Sequence, residues 1–155
     1  MNTEPAVLAR VGETFIAFPV VNVREVIDET QTTKVPLAPD HILGLLNLRG
    51  EVVSIVDARI LLGLPQDREE HNIPVHLLLT HGGETKSLLV DEVLEVIRPE
   101  EREIVGVPPG LGGSLEAIVV RVVRQTTRLI LVCSVMALLH QISAWGEAAE
   151  NVEEQ

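Results

Sequence analysis

The sequence has 155 residues, a formal net charge of −11 and a pI of about 4.8. This length predicts a single domain that can bury a sizeable hydrophobic core. Binding to nucleic acid or to an anionic membrane needs basic groups, and bases are usually stacked on aromatic side chains. Aromatic residues make up only 2% of this acidic chain. The composition therefore excludes nucleic acid and direct membrane insertion from the expected interactions.

The expected compartment follows from cysteine usage and from the distribution of apolar residues. Cys133 is the single cysteine and lies in an apolar run, so we expect a buried core residue in a reducing environment. Residues 1–10 lack the basic and apolar regions of a signal peptide. The longest uncharged apolar run, residues 129–139, is shorter than the ~20 residues of a membrane span. We therefore expect a soluble cytoplasmic protein.

Short strands separated by turn residues dominate the first half of the chain. The predicted strands are residues 6–11, 14–18, 24–29, 45–49 and 51–56. A helical turn at 20–23 precedes the third strand, and Gly50 joins the last two. Asp40 is predicted to cap a short helical turn before residue 45. Asp57 is predicted to cap another that ends at Gly63.

The second half repeats this pattern of short strands followed by a helix. The predicted strands are residues 75–81, 86–91, 93–98, 116–123 and 128–133. Residues 106–114 are rich in Pro and Gly and are predicted to be an irregular loop. Ser134 is predicted to cap a helix over 135–143, followed by an acidic, disordered tail at 147–155.

The order of these elements predicts an all-β fold with short helices, built as a pair of small barrels. We expect one domain over residues 1–146, with a division between two lobes near 66–74. The N-terminal strand is expected to be shared with the second lobe. No repeat is obvious in the sequence itself.

Three possible chemical sites have simpler structural explanations. His76 and His81 have an odd spacing on a predicted strand, which places them on opposite faces and disfavours a zinc site. Asp57 and Asp91 each follow an apolar strand but lack the Thr or Ser and Gly of an aspartic-protease loop, so a helix cap and a bend are favoured. Residues 106–114 lack the helix and Lys of a phosphate-binding loop. We therefore predict neither enzymatic activity nor a cofactor.

Arg49 is the most informative single residue. It lies at a strand reversal beside Leu48 and Gly50, where an exposed turn arginine is the simplest interpretation. The apolar flank instead favours a guanidinium at the edge of a half-buried surface, which would require a carboxylate in bidentate geometry.

Four segments in chain order resemble the CheW family of chemotaxis adaptors. They begin with residues 11–28 (VGETFIAFPVVNVREVID) and continue with 34–65, which contains NLRG and LLGL. Residues 87–97 (SLLVDEVLEVI) and 128–139 (RLILVCSVMALL) follow. The resemblance implies two five-stranded SH3-like barrels packed together with an apolar groove between them, and it makes Glu25 the partner of Arg49.

The resemblance also implies a function and a site. Family members are non-enzymatic scaffolds that couple the cytoplasmic tip of methyl-accepting chemoreceptors to the regulatory domain of a CheA-type histidine kinase. The partner-binding residues implied for this chain are Val23, Glu25, Leu48, Arg49, Leu89 and Val96.

The chain departs from the family pattern at several positions, and the second half is less typical than the first. Ser54 stands where the family usually has Pro, while Ser87 and Arg121 stand where it has Gly. An alternative hypothesis is therefore a divergent member that binds one neighbour and caps or regulates the array. A hydrolase built on Asp57 and Asp91 is a third hypothesis.

Overall fold

The computed structural model of the chain describes residues 3–28, 32–38, 41–65 and 73–153, with side chains described as far as residue 144. The described residues form twelve strands and three α-helices. The strands in chain order are β1 Ala6–Val11, β2 Thr14–Pro19, β3 Val23–Ile27, β4 Thr32–Thr33, β5 Ile42–Leu48, β6 Glu51–Asp57, β7 Val75–His81, β8 Glu84–Val90, β9 Glu92–Ile97, β10 Ile104–Val105, β11 Val119–Arg124 and β12 Leu129–Cys133. The helices are α1 Ala58–Leu62, α2 Gly113–Ile118 and α3 Val135–Glu153.

The strands form two six-stranded sheets. One has the order β10-β11-β12-β2-β1-β9 and is called the terminal sheet, because it contains the first and last strands of the chain. The other has the order β3-β7-β8-β6-β5-β4 and is called the middle sheet. Since β4 and β10 have two residues each, every sheet has five longer strands. The predicted fold class, mostly strands in two sheets with short helices, is confirmed.

Both faces of several strands are buried, because each sheet covers its own apolar cluster as well as a shared one. Leu77 and Leu79 of β7 pack into a large core shared by the two sheets, called the inter-sheet core. Leu78, between them, points into a cluster of the middle sheet alone. In β1, Leu8 lies in the corresponding cluster of the terminal sheet. The period of two along a strand thus sends alternate side chains into different cores.

The two sheets are built in the same way from equivalent strands. In each, an antiparallel hairpin (β1–β2 or β7–β8) pairs in parallel with the strand before a helix (β12 or β6). The remaining equivalences are β3 with β9, β4 with β10, β5 with β11 and α1 with α3. The fold is therefore an internal duplication, and each half contributes its first hairpin to the sheet of the other half.

Strand registers support this equivalence residue by residue. Glu25 of β3 lies opposite Leu78 of β7, and Glu95 of β9 lies opposite Leu8 of β1. The register shifts at the same place in both pairs, with one unpaired residue directly before each glutamate. Each strand pair has a β-bulge, which is a specific structural feature, so its presence at the same place in both pairs supports their equivalence.

The prediction that no repeat is obvious in the sequence is therefore wrong. Residues 23–27 read VREVI and residues 93–97 read VLEVI, and these are equivalent strands. The predicted division near 66–74 falls between the two halves in chain order but not between the sheets, because β7 and β8 join the sheet of β3–β6. The chain changes sheet at residues 20–22 and again at Asp91. The domain limits 1–146 stay a prediction.

Local predictions succeeded at two caps and failed at two helices. Asp57 accepts a hydrogen bond from the backbone N of Arg59, and Ser134 accepts one from Ala137 N, as predicted. The predicted cap Asp40 lies outside the described residues. Residues 113–118 form α2 instead of a loop and strand, and its last residue, Ile118, is buried in the inter-sheet core.

The C-terminal helix is longer than predicted. Helix α3 continues to Glu153 instead of ending near residue 143, so residues 147–153, predicted to be disordered, are helical. Ala and Glu are frequent in this segment, and both are strong helix formers.

Candidate functional site

Arg49 occupies a two-residue turn between β5 and β6. Its φ is +49° and that of Gly50 is +86°. This is the left-handed region required at both positions of the tightest hairpin turns. Asn47 Oδ1 accepts a hydrogen bond of 2.9 Å from Gly50 N. The turn holds the arginine backbone in a conformation that few non-glycine residues adopt.

Arg49 and Glu25 form the ion pair that the family resemblance implies. Arg49 Nη2 lies 2.7 Å from Glu25 Oε2, and Nη1 lies 3.5 Å from Oε1. A second pair joins Arg24 Nη1 to Glu51 Oε2 at 2.8 Å. The hydrogen bond from Arg49 lowers the pKa of Glu25 and raises that of Arg49. The Arg49 side chain is 69% exposed, so the pair lies at the surface.

These contacts close the middle sheet. Strand β3 is one edge of the sheet and is separated from β5 by β7, β8 and β6. The side chains of β3 can reach the β5–β6 turn only if the sheet curls on itself. The ion pairs Glu25–Arg49 and Arg24–Glu51 therefore mark the seam of a small barrel.

Three apolar residues of the predicted site are buried or partly buried. Leu48 and Leu89 are buried in the cluster of the middle sheet, and Val23 packs partly buried against the inter-sheet core. In this structure Leu48 and Leu89 shape the barrel from within. Their predicted role in partner binding stays a prediction.

Val96 is the one predicted residue that lies in the other sheet. It is 54% exposed and lies opposite Val7 on β1. Its equivalent in the middle sheet is Val26, which is 44% exposed. Val96 is therefore not beside the other five residues but marks a second, equivalent surface.

The sequence prediction missed the charged pair at this second surface. Arg128 Nη2 lies 3.0 Å from Glu95 Oε1, and Arg128 also lies over the ring of Phe15 at 5.6 Å. Glu95 belongs to the edge strand β9, and Arg128 to the turn between β11 and β12. The pair closes the terminal sheet as Glu25–Arg49 closes the middle one. The repeated V-x-E-V-I segment was the sequence signal that could have identified it.

An apolar surface lies where the chain first passes between the sheets. Val21 is 80% exposed, and Met136 at the start of α3 is 60% exposed. A pocket next to Met136 is lined by Pro19, Asn22 and Val120, and also by the polar residues Glu4, His81 and Arg121. This region, called the crossing surface, was not part of the predicted site.

The residues considered for other chemistry have structural contacts. Asp57 caps α1 and Asp91 lies at a bend, as predicted. Asp91 also pairs with Arg59, which was not predicted. His76 is buried, with Nδ1 3.0 Å from Ser87 Oγ, and burial lowers its pKa. Cys133 is buried, and burial raises its pKa to about 12. Within the described ranges, no group of three His, Cys, Asp or Glu side chains is arranged to hold a metal ion.

The fold and site define a β-rich module of two duplicated barrels with exposed, repeat-related surfaces. Residues 5–143 match the CheW-like domain family. The chain belongs to this family, and curated relatives of the chain are chemotaxis proteins named CheW.

Individual relatives agree with this assignment. The chain is 26% identical over 129 residues to the chemotaxis protein CheW of Helicobacter pylori, covering 83% of this chain and 77% of that protein. It is 28% identical over 144 residues to CheW of Bacillus subtilis, covering 87% and 92%. The crystal structure of the scaffolding protein TtCheW from Thermoanaerobacter tengcongensis superposes with a TM-score of 0.76 at 24% identity, covering 86% and 90%. Among the described residues, no helix is long and apolar enough to cross a membrane.

Proposed function

We propose that this protein is a non-enzymatic, cytoplasmic adaptor that couples chemoreceptors to a CheA-type histidine kinase. The observation that carries the proposal is the pair of repeat-related barrel seams in a CheW-family chain. Each seam combines an ion pair with an exposed valine on its edge strand: Glu25–Arg49 with Val26, and Glu95–Arg128 with Val96.

Two equivalent seams suit a partner that is itself built from two such barrels. In the family, the regulatory domain of the kinase is itself CheW-like, so it could meet each seam with an equivalent surface. Arginines beside apolar contacts are enriched among residues that dominate binding energy. The seams therefore supply the kinase contacts in this proposal.

The crossing surface suits the helical tip of a receptor. Val21 and Met136 expose apolar side chains there, and the pocket that Met136 lines also has polar residues in its wall. An amphipathic helix binds by placing its apolar side chains into such a groove. Val23, packed on the inter-sheet core below the same crossing, would support the groove from within.

A single-sided, capping role has less support. That hypothesis depended on the second half lacking a usable end, with Arg121 and Arg124 in β11 as the obstacle, and Arg124 is exposed. Arg121 makes an interaction of its own and is not fully exposed. The seam in the same sheet retains its charged pair.

Titration calorimetry with the isolated kinase regulatory domain and with a receptor tip peptide tests the proposal. Arg49→Glu and Arg128→Glu should each weaken kinase binding roughly tenfold, about 1.4 kcal/mol, and leave receptor binding unchanged. Met136→Glu should do the reverse. Glu13→Lys, a charge change in the exposed β1–β2 turn, is the control. A wild-type protein that binds neither partner would contradict the proposal.

A further inference from the structure

Asp91 lies at the second place where the chain passes between the sheets, and its side chain is fully buried. Arg59 Nη2 lies 2.5 Å from its Oδ2, and Gly12 N donates a hydrogen bond of 2.7 Å to the same oxygen. Arg59 follows the middle-sheet strand β6, while Gly12 lies in the β1–β2 turn of the terminal sheet. One carboxylate thus joins groups from both sheets.

The arginine is itself held in place from two sides. Its Nη1 donates a hydrogen bond of 3.0 Å to the carbonyl of Pro65, and its side chain is 11% exposed. Arg10 of β1 approaches the same carboxylate at 3.9 Å. Further contacts therefore hold both Arg59 and Asp91 in a fixed orientation at this crossing.

The duplication provides an internal comparison, because the first crossing is the equivalent site. Val21 occupies the position equivalent to Asp91, and Met136 the position equivalent to Arg59. Both are largely exposed, at 80% and 60%. A neighbouring contact is retained in altered form: Arg10–Glu92 at the second crossing corresponds to the hydrogen bond from Asn22 to the Thr80 carbonyl at the first. One crossing is fastened by a buried ion pair, whereas its equivalent has exposed apolar side chains at the same two positions.

Stability alone does not explain the buried pair. Well-packed apolar residues of similar size often serve as well as a buried ion pair or better. The inter-sheet core is apolar, and hydrophobic attraction has no preferred direction. Arg59 Nε also lies 3.4 Å from Asp91 Oδ1, so the approach is bidentate. A bidentate ion pair fixes an angle that an apolar contact fixes less strictly.

We propose that the Arg59–Asp91 pair is a positioning device that fixes the angle between the two sheets. When the ion pair holds the two sheets together at the second crossing, the crossing surface at the first crossing has a single shape. This consequence for receptor docking rests on the proposed function, whereas the fastening itself does not.

Distance measurements between two spin labels test the fastening without any partner. Cysteines replace Glu84 in the middle sheet and Thr126 next to β11 in the terminal sheet, both exposed, while Cys133 is buried. The double variant R59M/D91V copies the residues of the open crossing and leaves no buried charge unpaired. Because the Arg59–Asp91 pair fixes the angle between the sheets, the distance distribution of the labelled protein that retains it should be narrow. We expect R59M/D91V to at least double the width of this distribution.

The control variants are measured with the same pair of spin labels. The control R24M/E51V removes an ion pair within the middle sheet and should leave the width unchanged. Arg59→Lys keeps the charge without the planar fork, and it should give an intermediate width even if the double variant does not fold. If R59M/D91V folds and keeps the wild-type width, core packing sets the angle. If R59M/D91V does not fold, a wild-type width in Arg59→Lys would show the same. Receptor affinity measured on the same proteins then tests the docking consequence separately.

Discussion

Glu25 and Glu95 occupy equivalent positions on two edge strands, and each pairs with an arginine from a hairpin turn of its own sheet. The arginines are not equivalent in the backbone. Arg49 lies within its two-residue turn, whereas Arg128 directly precedes β12. The same closure is therefore reached from two turn geometries, so the ion pair at the seam is the feature common to both halves.

Exchanging the charges of the Glu25–Arg49 pair should restore part of the binding lost in the single variants. Glu25→Arg alone leaves two cations together, and Arg49→Glu alone leaves two anions. The combined exchange recreates attraction across the same 2.7 Å contact. Binding to the kinase regulatory domain is measured for all four proteins. If the combined variant binds no better than the sum of the two single changes predicts, Glu25 and Arg49 do not act as a pair in binding.

Asp91→Asn should destabilise the fold strongly. It leaves the Arg59 guanidinium, which is largely buried, without its counter-charge, and breaking a buried ion pair in this way costs about 3–5 kcal/mol. Urea denaturation measures the loss. Glu51→Gln, in an exposed pair, should cost less than about 1 kcal/mol. Equal losses in the two variants would contradict the burial argument.

Gly44→Ala should detach the short strand β4 from β5. A Cβ atom at position 44 would lie 2.6 Å from the carbonyl oxygen of Thr33, so the backbone must move. We expect a loss of about 1–3 kcal/mol and faster amide exchange at Leu45 and Leu46, which lie opposite β4. Gly106→Ala, with open space around it, is the control and should leave exchange in β5 unchanged.

The buried His76 should make the fold less stable at acidic pH. Burial lowers its pKa in the folded state below the ordinary value of 6.5. The unfolded chain therefore binds a proton first as the pH falls. Stability from this residue is complete above pH 6.5 and decreases as the pH falls towards the folded-state pKa.

A double substitution isolates this effect. H76L/S87A removes the titrating group together with its partner Ser87, which is fully buried. The equivalent positions in the terminal sheet are already Ala6 and Ala17. The free energy of unfolding is measured at pH 7.5 and pH 5, and the loss between them should be smaller in the variant. The same loss in both proteins would assign the pH dependence to other groups.

The sequence by itself determined the local elements and the family. The strand of residues 75–81, the turn at Arg49–Gly50 and the caps Asp57 and Ser134 each depend on neighbouring residues. Such short-range preferences can be recognised in the chain. The four family segments likewise lie in order along the sequence.

Only the tertiary structure decided which strands share a sheet. The alternation in β7 is the same whether the hairpin joins its own half or the other, so periodicity could not reveal the exchange. The pairs Glu95–Arg128 and Arg59–Asp91 join residues from separate strands, turns and helices. The curling of the terminal sheet brings Glu95 to Arg128, and the packing of the two sheets brings Asp91 to Arg59. Both are long-range properties that local preference does not contain.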